Sequence, residues 1–159
     1  MSRVTTYSQL KSELKKVRDK ALKEAAKESV DLTKEVINKV VYNAGSPENY
    51  QRTYQLRDSF RDNPLESKGD SAVVKLNHDE ARISPNVGMF QHASSHWSPW
   101  DYSKYIAKTV NDGGSGGLFG DGYWRSARPY IDEAEKELSG GKYKQFMLAQ
   151  LRGMGYRAK

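Results

Sequence analysis

The sequence predicts an α+β fold: a long N-terminal α-helix packed on a small antiparallel β-sheet, with additional short helices. Three observations predict it. An apolar stripe repeats at three- and four-residue steps from Tyr7 to Val40, with no Gly or Pro in between. Short alternating runs with β-branched residues follow Pro64. Helical spacing then returns near Tyr102 and again after Pro129.

The first helix opens on Thr6 and Gln9, the spacing of a capping box, in which a hydroxyl and a glutamine each satisfy the other's backbone N–H. Tyr7, Leu10, Leu14, Val17 and Ala21 start the stripe, and Leu22, Ala25, Leu32, Val36, Ile37 and Val40 continue it with a small drift. Asn43-Ala44-Gly45-Ser46-Pro47 is a strong stop. The result is one helix over 6–42, about 35 residues and roughly 50 Å long at 1.5 Å per residue. A break near Glu28-Ser29, where the pattern weakens, is the alternative. If the helix is continuous, its first half is expected to meet another subunit.

Tyr54 to Arg61 reads as a short second helix, with Leu56 and Phe60 as its apolar anchors. Ala72 to Leu76 is the clearest strand, and Glu80 to Ser84 is its expected antiparallel partner across an Asn77-His78-Asp79 turn. Val87 to Gln91 is a possible third strand. Tyr102 to Val110 has helical period, and 111–122 is a Gly-rich loop. Pro129 to Leu138 starts another helix, with Pro early and acids in its first turns. Ser139-Gly140-Gly141 is expected to end it, before a basic helix and tail over 142–159. The chain is read as a single domain, 1–159, whose α+β body spans 50–138.

Composition bounds the energetics. In 159 residues the apolar fraction is 36% and the charged fraction 29%. Such a chain has less to bury than an ordinary domain, so either an extended helix with a lean core or burial against neighbouring subunits is expected. The formal charge is +6 and the pI about 9.4, which brings nucleic acid or another acidic surface into consideration as a partner. After Glu137 there is no acid, while Lys142, Lys144, Arg152, Arg157 and Lys159 follow. There is no cysteine, hence no disulfide and no thiolate metal site. The polar N-terminus has no signal-peptide pattern, and no segment has the ~20 apolar residues of a membrane span.

No catalytic, cofactor or metal site is expected. His78, His92 and His96 are the three histidines, but the segment holding the last two is Ser-rich and runs into Pro99. The Gly-rich run near Leu118 and Phe119 leads into Asp121-Gly122-Tyr123-Trp124 rather than the Gly-Lys-Ser/Thr of a phosphate loop. Glu66-Ser67-Lys68 contains an acid-x-lysine fragment of the nuclease type. Its upstream aspartate would have to be Asp58 or Asp62, too close for a two-strand site.

Aromatic content carries more. Of ten tyrosines and three tryptophans, Trp97, Trp100, Tyr102, Tyr105, Tyr123, Trp124 and Tyr130 fall in one segment with few aliphatics. These residue types are enriched at interface hot spots and also build small cores, and both roles remain open from sequence.

The order of elements resembles the head–tail joining proteins of tailed phages, the neck or tail-completion proteins of siphophages. Their pattern, Tyr-x-Arg-Thr-Gly-x-Leu-x-x-Ser-hydrophobic, is met by Tyr50, Arg52, Thr53, Leu56, Ser59 and Phe60, with Tyr54 standing where the family commonly has Gly. Arg128-Pro129-Tyr130 before an acidic helix is a second match. The resemblance implies a structural virion protein at the neck, made in the host cytoplasm and not an enzyme. It would assemble with itself as a ring, a hexamer or else a dodecamer, through which DNA passes without sequence reading. Head-completion or adaptor proteins and tail terminator or tail-tube proteins would be its partners, with no membrane involved.

Expected interface residues are Leu10, Leu14, Arg52, Arg57, Asp58, Trp97, Trp100, Leu118 and Phe119. Leu56, Phe60, Pro129 and Tyr130 are the expected structural anchors. The competing class is a basic nucleic-acid-binding module acting on its own, which predicts salt-sensitive DNA binding by the isolated monomer.

Overall fold

The computed structural model describes residues 6–44, 54–83, 103–113 and 126–158. It is α+β, as the sequence predicts: a long N-terminal helix, two small antiparallel sheets and further short helices. Helix α1 spans Tyr7–Ile37 and runs on as a π-helical turn, Asn38–Tyr42. It is continuous through Glu28-Ser29. Ser29 is buried there and its hydroxyl donates to the Ala25 carbonyl at 2.8 Å, so the polar residue is satisfied inside the helix. The capping box forms in both directions. The Thr6 N–H donates to Gln9 Oε1 at 3.2 Å, and the Gln9 N–H donates to Thr6 Oγ1 at 3.3 Å.

Short elements follow: α2 (Gln55–Ser59), β1 (Phe60–Asp62), β2 (Glu66–Lys68), β3 (Ser71–Val73), β4 (Leu76–His78) and a 3₁₀ turn at Glu80–Arg82. Then come α3 (Ser103–Asp112), α4 (Tyr130–Glu137), a kinked connection at Leu138–Lys142 and α5 (Tyr143–Gly153). Strand β2 pairs antiparallel with β3 in the register Glu66 to Val73, Ser67 to Ala72 and Lys68 to Ser71, and β1 pairs with β4.

This corrects the expected hairpin. Among the described residues, Ala72 to Leu76 does not pair with Glu80 to Ile83. Asn77 and His78 lie in β4 rather than a turn, and Glu80 to Arg82 is helical. The real hairpin turns at Gly69-Asp70, where Gly69 takes a φ of +61°. That left-handed value at the first turn position is what a two-residue primed turn requires of glycine. Its strands are three residues each and mostly exposed, so the alternation a longer strand would show is missing.

The helix that opens at Tyr130 ends in Ser139-Gly140-Gly141, as expected. Gly141 takes φ +113° and ψ −9°, outside helical space and readily adopted only by glycine, and α5 starts beyond it. Val87 to Gln91 lies outside the described residues.

The chain divides into two compact units. Met1–Leu32, Asp62–Asn77 and Glu135–Lys159 form one; Thr33–Arg61 and His78–Ala134 form the other. In the first, small residues Ala21, Ala25 and Ala26 with Val30 and Leu32 are buried along α1. Gln150 of α5 donates to Glu28 of α1 at 2.6 Å. In the second, the buried apolar residues are Val36, Ile37, Val41, Leu56, Phe60, Ile83, Val110, Tyr130 and Ala134.

Candidate interaction surface

In the first unit, the N-terminal half of α1 keeps its apolar stripe in solvent. Tyr7 is 81% exposed, Leu10 44% and Leu14 51%. The stripe borders a shallow groove shared with Lys11, Lys15, Arg18 and Asp70. The Gly69-Asp70 turn builds the other wall. The Asp70 carboxylate accepts from Lys11 Nζ at 3.0 Å and Lys15 Nζ at 3.1 Å, and its carbonyl accepts from Arg18 Nη1. Arg18 Nη2 also reaches Ser67 Oγ at 3.0 Å and Asp19 Oδ1 at 2.6 Å. The lysines, Lys11 first, hold the Asp70 carboxyl below its ordinary range. Such exposed ion pairs orient the hairpin more than they stabilise it.

The second unit places three of the four sequence-predicted anchors in its core. Leu56 and Phe60 are buried, and Tyr130 is fully so. Pro129 is exposed, and its carbonyl accepts from the Glu133 N–H at 3.1 Å, opening α4. Arg57 and Asp58 form an exposed ion pair at 2.7 Å, and Arg57 Nη1 reaches Asn38 Oδ1 at 3.4 Å. Their hydrogen bond raises the Arg57 pKa and lowers that of Asp58. Tyr54, the residue standing where the resembling pattern has glycine, adopts φ +57°, ψ +10°. The turn is therefore built as a glycine turn with a tyrosine in it. Its ring packs at 4.7 Å from the Tyr42 ring, and the Arg57 guanidinium lies 4.9 Å from its centroid. Those contacts offset the left-handed cost of about 1–2 kcal/mol.

Sequence reading missed the role of His78. It sits between Ser59 and Tyr130, with Ser59 Oγ 2.8 Å from Nδ1 and the Tyr130 hydroxyl 2.8 Å from Nε2. The Ser59 hydroxyl proton goes to the Leu56 carbonyl at 2.8 Å. Nδ1–H therefore donates to Ser59 Oγ. The Tyr130 hydroxyl, 3.3 Å from the Ala107 carbonyl but only 2.8 Å from Nε2, donates to Nε2, the arrangement of a neutral imidazole. Burial lowers the His78 pKa to about 4 and pushes the Tyr130 hydroxyl up. Ser59 is 0% exposed, so this Ser–His pair offers no nucleophile to a substrate; it cross-links α2, β4 and α4. No sequence signal marks it, since Ser59, His78 and Tyr130 are far apart along the chain. The Gly69-Asp70 dipeptide, by contrast, is a hairpin signal legible in sequence.

Among the described residues, no cluster of His, Asp and Glu has the arrangement of a metal site, and no helix is long and apolar enough to cross a membrane. Arg52, Trp97, Trp100, Leu118 and Phe119, together with His92 and His96, lie outside the described residues.

A family model, YomN, matches residues 6–153, nearly the whole chain. The chain belongs to the YomN family. YomN is a phage-derived family of the Bacillus prophage type, so the protein is phage-associated. No curated protein and no solved structure matches the chain. The YomN match takes in both units, the exposed stripe of α1 and the His78 network alike.

Proposed function

We propose that this YomN-family protein is a structural virion component of a tailed phage, a neck or tail-completion subunit. In this reading it assembles as a ring that joins the capsid portal region to the tail and lets DNA pass, and it carries no catalytic or metal-dependent activity. The observation that carries the proposal is the exposed apolar stripe of α1, Tyr7, Leu10 and Leu14, on a helix whose later residues are buried. Apolar residues repeating on one face of a capped helix are a surface that another protein covers. The phage-derived family supplies the context. A charge of +6 suits a ring around DNA, where backbone phosphates are met without base reading.

Immunogold labelling of the phage particles is the direct test. Label at the junction of head and tail is expected. Label on the capsid shell or tail tip, or none on purified particles, overturns the assignment. Salt-sensitive DNA binding by an unassembled monomer would move the reading to a free-standing nucleic-acid-binding module.

A further inference from the structure

The occupant of the α1 stripe is legible in the charges. From Lys11 to Lys23, α1 carries six basic residues against two acidic ones. From Asp132 to Glu137, α4 carries four acidic residues against one basic. On α4, Tyr130 and Ala134 are buried, and a different side of the helix presents Ile131, Asp132 and Glu135. Ile131 is 41% exposed, and Asp132 and Glu135 make no ion pair among the described residues. The α1 stripe and this side of α4 each have an apolar centre. Lys11, Lys15 and Arg18 leave the α1 rim net positive after the Asp70 and Asp19 carboxylates paired with them, whereas Asp132 and Glu135 make the α4 rim negative.

We infer that the basic, apolar face of α1 around Leu10 and Leu14 docks on the acidic face of α4 around Ile131 in a second copy of the same chain. The inference rests on the assembly proposed above and names its contact. The two patches differ, so the contact is heterologous: every subunit offers one of each, and repetition closes a ring or extends a filament. An isologous pairing of two α1 stripes would set lysines against lysines, which disfavours it.

The chain has no cysteine, so single cysteines report proximity cleanly. A Leu10→Cys variant mixed with an Ile131→Cys variant, under mild oxidation, is expected to give covalent dimers that neither variant gives alone. The wild type, run beside them by sedimentation velocity, reports whether the chain assembles at all. Cross-linking by Leu10→Cys alone would mean that α1 pairs with α1, and would overturn the inference. A wild-type oligomer with no cross-link in the mixture overturns this contact and leaves the ring reading standing. A wild type that stays monomeric at its highest soluble concentration sinks both. Charge reversal gives an independent arm. Lys11→Glu with Lys15→Glu, or Asp132→Lys with Glu135→Lys, should each abolish the oligomer, and mixing the two reversed chains should restore it. Circular dichroism on each variant confirms that the fold survives, and reversed chains that still assemble separately would count against the contact.

Discussion

The two halves of α1 carry one apolar period and meet different surroundings. Tyr7, Leu10 and Leu14 stand in solvent, whereas Ala21, Ala25 and Ile37 are fully buried on the same continuous helix. Propensity and capping alone do not explain the exposed half, because a helix in water draws most of its stability from tertiary burial of its apolar face. The N-terminal half has beyond propensity only its capping box and the exposed Asp70 ion pairs, which orient it more than they stabilise it. Burial marks which half serves the fold, and in the reading proposed above the exposed half is the one a partner covers.

The largest effects should therefore fall in the buried half and the core beside it. Ile37→Ala, Leu56→Ala and Phe60→Ala should each cost roughly 2–5 kcal/mol, as large-to-small core changes do. Urea denaturation monitored by circular dichroism measures this. An Ile37→Ala midpoint equal to that of the parent would break the comparison.

Next in size is the proton at His78. The unfolded histidine takes a proton near 6.5, whereas in the fold it does so only near pH 4. Between those values the unfolded state binds more protons, so stability falls as pH falls through the window and levels off below it. The loss should reach roughly 2–3 kcal/mol, some relief from solvent included. His78→Gln should flatten the thermal midpoint over that range. An unchanged slope in the variant would place the titrating group elsewhere.

A smaller effect is expected at Tyr54, whose left-handed backbone is held by its ring contacts. Tyr54→Ala keeps the strained conformation and loses the packing, and should cost about 1–2 kcal/mol. Tyr54→Gly loses the same packing but relieves the backbone, so it should lie within about 1 kcal/mol of the parent. Thermal melts of the two variants decide it; glycine melting below alanine would mean the turn is not strained.

How much of this was legible in the sequence depended on the range of the forces involved. The capping box, the stripe and the start of α4 come from local spacing and stand where spacing puts them, whereas the short helix expected over Tyr54 to Arg61 stops at Ser59 because Phe60 to Asp62 pairs as β1. The strands were harder. Three-residue strands have too few positions for alternation to register, so the β-rich run at Ala72 to Leu76 was paired with the wrong neighbour. Leu56, Phe60 and Tyr130 were readable as anchors, because large apolar residues beside turn signals are usually buried. His78 was read as a turn residue, since its partners Ser59 and Tyr130 meet it only once the chain has folded. Exposure of Leu10 and Leu14 follows from the excess of helix over core, a quantity that length and composition do bound.

The smallest expected change in stability is at those two leucines, and it is the one that separates fold from assembly. Leu10→Ser and Leu14→Ser together should move the isolated subunit by no more than about 0.5 kcal/mol each, since exposed positions outside caps and cores rarely do more. Helix propensity works slightly against serine, and the capping box one turn earlier is untouched, so circular dichroism should keep its helical signal. Assembly should behave differently. If α1 docks its stripe on a neighbour, removing both side chains takes the apolar centre from every contact in the ring at once, and a repeated loss is multiplied around a closed assembly. The expected result is a folded subunit that sediments as a monomer and leaves heads and tails unjoined in electron micrographs. Joined particles from the double variant would show that the stripe is surface and nothing more. A variant that melts several degrees lower would instead return Leu10 and Leu14 to the fold, and the two halves of α1 would differ only in degree.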